Sequence, residues 1–153
     1  LAALIIRTAG EADLPTIIGL LAADSFGRLR ETPGEPLDAC YRAAFAAIEA
    51  DPNQALVVGE RDGRVIACLQ LSFIPGLSRR GAWRGLVEGV RVAEDARNGG
   101  VGEAMMRWVI AHCRARGCAL VQLTTDRRRE DAQRFYLRLG FQPSHVGMKL
   151  ALT

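Results

Sequence analysis

Lysine is nearly absent from this chain: of its 20 Lys plus Arg residues, Lys149 is the single lysine. Arginine presents a planar, always charged fork that fits carboxylate and phosphate oxygens. The positive charge is also nearly balanced, because 17 Asp plus Glu leave a formal net charge of only +3. That excess is too small for the basic footprint of a nucleic-acid-binding domain. The densest basic run, Arg127-Arg128-Arg129, has no interleaved aromatics and reads as a solvated loop, so no nucleic-acid partner is expected. Long apolar runs are missing too. Leu1 to Ile6 is broken by Arg7, and nothing later approaches the ~18 apolar residues of a membrane helix. The expectation is a chain with no membrane partner and no targeting segment. Cysteine is sparse: Cys40, Cys68, Cys113 and Cys118 form no C-x-x-C pair and no cluster with histidine. This pattern predicts free thiols, a reducing cytoplasmic setting and no metal.

What is present is an ordinary globular composition, 49% hydrophobic and 24% charged over 153 residues. A chain of ~150 residues buries roughly two-thirds of its unfolded surface, and no linker or repeat divides this one, so residues 1–153 are expected to form one domain. Leu4 to Thr8 reads as a strand. Gly10-Glu11-Ala12-Asp13 opens a helix with Leu14, Ile17, Ile18 and Leu21 as its apolar stripe, its acids suiting the positive end of the dipole. A polar stretch with Pro33, Gly34 and Pro36 leads to a second helix, about Leu37 to Ala50. Ala55 to Arg61 and Arg64 to Ile74 are strands joined by Asp62-Gly63, a tight-hairpin dipeptide. Gly85 to Val92 is a fourth strand, Val101 to Arg116 an amphipathic helix capped by Gly117, and Ala119 to Thr125 a fifth strand. Glu130 to Leu139 is a helix ended by Gly140, and His145 to Leu152 a closing strand. The class is α+β with a mixed sheet.

Arg97-Asn98-Gly99-Gly100-Val101-Gly102, between the fourth strand and the long helix, is the most informative segment. Its glycines let a ligand approach the backbone, and the helix that follows offers unpaired N–H groups and a positive dipole end, which favour a phosphate or pyrophosphate. Arg97 can add a charge-assisted contact. Neither a third Rossmann glycine nor the Gly-Lys-Ser/Thr of a P-loop is present. A glycine-rich turn around no ligand is the alternative. Glu88 is the second feature. Strict alternation puts Glu88, Val90 and Val92 on one face of their strand and Val87, Gly89 and Arg91 on the other, so an acid falls on an apolar, covered side. It reads either as a general base, acting directly or through water, or as the partner of a nearby arginine.

Two motifs together carry a resemblance: V-x-V-x-x-x-x-R-x-x-G-x-G (Val90, Val92, Arg97, Gly100, Gly102) and A-x-x-F-Y-x-x-L-G-F (Ala132, Phe135, Tyr136, Leu139, Gly140, Phe141). The chain resembles the GCN5-related N-acetyltransferase (GNAT) superfamily over nearly its whole length. Leu123-Thr124-Thr125, the Ala132 to Arg138 segment, Ser144-His145 and Lys149 resemble the branch that includes aminoalkylphosphonate N-acetyltransferases. The resemblance implies a mixed, mostly antiparallel sheet of about six to seven strands, splayed between strands 4 and 5 and flanked by about four helices.

It also implies acetyl-CoA as co-substrate, with no metal, and a primary amine of a small molecule as acceptor, attacked directly in a ternary complex. Arg97, Asn98, Gly99, Gly100, Val101, Gly102 and Glu103 would bind the pyrophosphate, while the backbone of Val90, Arg91 and Val92 pairs with the pantetheine arm. The Val90 N–H would face the oxyanion, Tyr136 would protonate the departing thiolate and Glu88 would serve as base. Where the family often has Asn, this chain has Arg129, so the cofactor contact there is made differently. Arg30 and Glu31 in the first inter-helix loop, and His145 near the closing strand, are candidates for the acceptor pocket. Protein or peptide acetylation and a noncatalytic acyl-CoA sensor are the alternative functions. A homodimer is one role for the apolar residues Val146, Met148 and Leu150.

Overall fold

The structure is a computed structural model that describes residues 2–153; Leu1, the start of the apolar opening run, lies outside the described residues. The chain divides into two compact units, one reaching to Gln122 and one comprising Leu123–Thr153.

The first unit is built on the expected hairpin. β2 (Gln54–Arg61) and β3 (Arg64–Ile74) pair antiparallel around Asp62 and Gly63, whose φ values of 53° and 73° are those of a type I′ turn. β1 (Ile5–Thr8) pairs antiparallel with β2, and β4 (Trp83–Val92) with β3. β5 (Cys118–Leu123) completes the strand order β1-β2-β3-β4-β5. The sheet is mixed because a helix carries the chain over from β4 to β5, as a parallel neighbour requires.

Alternation along the strands divides the core in two. Val58 and Cys68 point to one face, where they pack with Ile17 of α1 (Leu14–Ala22). α2 (Ala39–Ala50) joins on that side through Phe45, which clusters with Leu14, Ile18, Leu37 and the strand residue Leu56. The opposite face carries Val57, Leu69, Leu71 and Val87, and against it lies α3 (Val101–Ala115), with Met105, Met106, Val109 and Cys113 buried. The fit there is tight: a β-carbon on Gly85 would collide with the Cys113 sulfur. Arg7 knits β1 to the start of α1 and to β2, its guanidinium donating to both Asp13 oxygens and twice to Glu60.

The second unit holds α4 (Glu130–Arg138), which ends at Gly140 with φ 96°, as its sequence signal predicts. The expected closing strand is not formed. Residues 145–152 have no regular secondary structure, so the sheet has five strands rather than six or seven. The physical reason is pairing: the segment passes the end of β5, where a β-carbon on Gly147 would stand 3.4 Å from Thr124 Cγ2, but no ladder of paired residues is formed there, and alternating apolar residues make a strand only through such a ladder.

Candidate active site

The chemistry-bearing part of the first unit is the passage from β4 into α3. Arg91 stands opposite Cys68 and Glu88 opposite Gln70, so two β4 residues, Gly89 and Val90, face the single Leu69. This is a β-bulge, and Gly89 takes φ 62° to make it. One extra residue reverses the side-chain alternation beyond it. Glu88 and Arg91 therefore share the face covered by α1 and α2, whereas Val92, opposite Ala67, lies on the α3 face. The expectation that Glu88 shares a covered face with Val90 and Val92 is corrected on both counts, because Glu88 is also exposed. Its cross-strand neighbour Gln70 is held by Gln54, whose Oε1 accepts from Gln70 Nε2 at 3.0 Å and from the buried Ser72 hydroxyl at 2.8 Å.

The backbone carbonyls of this segment already have arginine donors. Arg91 Nη1 donates to the Val90 carbonyl at 2.8 Å and Arg97 Nε to the Val92 carbonyl at 3.2 Å. A carbonyl oxygen has a second lone pair, so both retain capacity for another donor. Beyond Arg97, Asn98 has φ 62° and Gly100, the N-cap of α3, has φ 80°; no side chain caps the helix. Gly100 is suited to that left-handed conformation because it has no Cβ. The first intrahelical bond to the cap runs from the Ala104 N–H to the Gly100 carbonyl at 3.0 Å. The N–H groups of the first turn thus end in an exposed loop, with the positive dipole end behind them. Glu103 is turned to Arg107, 2.6 Å away in an i,i+4 ion pair.

The loop after α1 was only partly legible. Arg30 is exposed and Glu31 half-buried, and Glu31 accepts a 2.9 Å hydrogen bond from the Tyr41 hydroxyl, which itself accepts from the Thr32 N–H at 2.9 Å. Burial, and then the Glu31 carboxylate, raise the Tyr41 pKa above its ordinary value. Sequence reasoning gave neither Tyr41 nor Asp24 a role in the site. Asp24 accepts from the Phe26 and Gly27 N–H groups at 3.1 and 2.6 Å and stands 3.6 Å from Arg91, tying the loop to the bulged strand. Asp followed by a glycine three positions on is a turn signal that was available. Gly27 itself is buried, and a β-carbon there would strike the Leu21 carbonyl.

In the second unit, Tyr136 is half-buried between two rings, edge-on to Phe135 at 5.1 Å and to Phe141 at 5.7 Å. Arg129 is the N-cap of α4, and its N–H donates to the Asp126 carbonyl at 2.9 Å. Arg128 closes on the Asp126 carboxylate at 2.7 Å, holding that carboxyl well below the usual range. The arginine run is therefore a structured turn and not simply solvated charge. His145 is exposed, its Nδ1 2.7 Å from the Ser144 hydroxyl. The structure thus strings Glu88, Val90, Arg91, Val92 and the Arg97 to Glu103 loop along one strand-to-helix passage, and places Arg129, Tyr136 and His145 in the other unit.

The profile of the Acetyltransferase (GNAT) family matches residues 22–141, and the chain belongs to that family. It is 32% identical over 112 residues to aminoalkylphosphonate N-acetyltransferase of Salmonella typhimurium, covering 73% of this chain and 72% of that protein. It is 32% identical over 123 residues to glucosamine 6-phosphate N-acetyltransferase 1 of Oryza sativa subsp. japonica, covering 78% and 73%. A crystal structure from Bacillus halodurans, described as a transcriptional regulator, superposes with a TM-score of 0.95 at 42% identity, over 98% of this chain and 100% of that one.

Proposed function

We propose that this chain is an acetyl-CoA-dependent N-acetyltransferase, a single domain that includes both units and transfers the acetyl group to the primary amine of a small molecule by direct attack in a ternary complex. The observation that carries the reading is the uncapped N-terminus of α3 reached directly from the bulge of β4. Donors so arranged fit a pyrophosphate, and the residues that would hold it are Arg97 to Glu103, with Arg129 as a further cation. The backbone of Val90, Arg91 and Val92 would align the pantetheine arm through the hydrogen-bonding capacity left on its carbonyls and N–H groups. Acetyl-CoA supplies the electrophilic thioester carbonyl.

The remaining steps belong to this chain's own residues. Exposed Glu88 takes a proton from the ammonium form of the acceptor, whose free pKa is ~10. Tyr136 gives its phenolic proton to the departing thiolate, and the Val90 N–H donates to the oxygen that gains charge. No cysteine is needed: burial pushes the thiols of Cys68 and Cys113 up to about 12, so both stay protonated and unreactive at neutral pH. The names of the Salmonella and rice relatives, both acting on small amines, support a small acceptor. A noncatalytic acyl-CoA sensor is the second reading, favoured by the description of the Bacillus halodurans protein.

Thiol release from acetyl-CoA, assayed against aminophosphonates, amino sugars, amino acids, polyamines and short peptides, tests the reading. Turnover on a small amine is expected, and Tyr136→Phe should lower kcat by ~10²- to 10⁴-fold, the usual contribution of a general acid. Glu88→Gln should lower kcat by ~10²- to 10⁴-fold while leaving acetyl-CoA binding unchanged. Tight acetyl-CoA binding with no turnover on any amine would favour the sensor. Full activity in Tyr136→Phe would remove the assigned acid.

A further inference from the structure

The sheet face under α1 and α2 changes character along β3. Cys68 is buried on it, but the next two positions on that face are Gln70 and Ser72, with Gln54 of β2 opposite Ser72 and Glu88 of β4 opposite Gln70. Polar side chains on the covered side of a central strand cost free energy unless their groups are bonded. Three of these four are bonded to one another: Gln54 Oε1 accepts from Gln70 Nε2 at 3.0 Å and from the Ser72 hydroxyl at 2.8 Å. Ser72 is only 6% exposed, so Gln54 is anchored from within the sheet. The tether also fixes which way round the half-buried Gln70 amide stands. Its nitrogen is turned to β2, which leaves its oxygen facing away from Gln54. Among the described residues Gln70 Oε1 receives no hydrogen bond, and it is not sealed from solvent. The steps assigned to Glu88, Tyr136 and Val90 leave this oxygen without a task.

We propose that Gln70 binds the acceptor amine together with Glu88, its Oε1 accepting one N–H of the nitrogen whose proton Glu88 removes, and that Gln54 is the residue that positions it. The inference rests on the acetyltransferase reading. Side chains directly opposite each other on one face have Cβ atoms about 5 Å apart, so one nitrogen can reach both groups. Their tasks differ. Glu88 attracts the ammonium form, but that attraction ends once the N–H bond breaks and the proton sits on the carboxyl, because both partners are then neutral. The amide oxygen of Gln70 gains no proton near neutral pH and accepts from the ammonium and from the neutral amine alike. It therefore holds the nitrogen over β4 while the freed lone pair turns to the thioester carbon. The pair also selects the nucleophile: a hydroxyl has a single hydrogen and cannot serve both oxygens, whereas a primary amine keeps an N–H for Gln70 after losing one to Glu88.

Steady-state kinetics on the full chain test the assignment, with the fastest acceptor among ethanolamine, aminoethylphosphonate, glucosamine 6-phosphate and spermidine as probe. Gln70→Met keeps the length of the side chain and removes its oxygen. It should lower kcat/KM for the amine by about tenfold or more, as loss of one hydrogen bond to a charged group does, with the Kd of acetyl-CoA and the circular dichroism unchanged. Gln70→Glu restores an oxygen but adds a second carboxylate, which favours the charged ammonium over the nucleophilic amine. The KM of the amine should then return close to that of the unaltered chain while kcat stays low, a split that a merely structural role does not produce. Gln54→Leu should weaken kcat/KM severalfold in the unaltered background and add nothing to Gln70→Met, since it acts only through that side chain. An unchanged kcat/KM in Gln70→Met, or an equal loss of acetyl-CoA affinity, would overturn the assignment of Gln70 and leave the acetyltransferase reading standing. Additive losses from Gln54→Leu and Gln70→Met would remove the positioning role of Gln54. No turnover of any amine by the unaltered chain would overturn the reading and the inference together.

Discussion

Residues up to Gln122 bury Leu69 and Met105 to 1% exposure and Val109 completely, whereas no described side chain from Leu123 to Thr153 is fully buried. The two units thus rest on different physics. The first has a two-sided core, with α1 and α2 over one face of the sheet and α3 over the other, and it removes much apolar surface from water. The second is held by local devices: three aromatic rings edge to edge, a turn closed on Asp126, and a glycine-ended helix. Free energy of folding is therefore concentrated in the unit that carries the passage from β4 into α3, and the unit carrying Tyr136 has the least burial of its own. A region of that kind is where local opening is expected first.

Substitutions of matched chemistry sharpen this contrast. Met105→Ala, in the α3 face of the core, should cost ~2–5 kcal/mol of unfolding free energy in a denaturant titration, as truncation of a long buried side chain does. Gly27→Ala should cost ~1–3 kcal/mol by overpacking, and hydrogen exchange should show the added opening confined to the loop after α1. Acid should reveal the Arg7 network. The Arg7 hydrogen bonds hold the Asp13 carboxyl below its ordinary value. Its contribution is complete above the unfolded value of ~3.9 and disappears as pH falls through the lower folded value, so Arg7→Leu should flatten the acid limb of Tm against pH. Leu137→Ala, on α4 at 53% exposure, should change stability by no more than ~0.5 kcal/mol. A loss there equal to that at Met105 would break the comparison.

Most of the fold was legible because its signals are local. The Asp62-Gly63 hairpin, the stripe of α3 and the glycines ending α3 and α4 each depend on a few neighbouring residues, and all occur as read. The errors have one common source. Alternation assigns Glu88 a face only while the strand is regular, and the extra residue at Gly89 and Val90 breaks it. Alternation likewise predicts a strand from His145 to Leu152, though strand formation depends on a neighbour. The Asp24 clamp was missed because its partner Arg91 is remote in the chain.

The amino-acid sequence by itself determined the order of helices and strands as far as Gly140, the turn chemistry, and the glycine-rich passage into α3, since each follows from backbone preference and apolar period over a short window. Tertiary structure alone decided that Glu88 is exposed beside Arg91 on the α1 and α2 face, that Tyr41 and Asp24 shape the loop after α1, and that the apolar segment after Ser144 is left uncovered. The reason is that register, facing and burial are relations between segments distant along the chain, and pairing one strand with another sets them all at once.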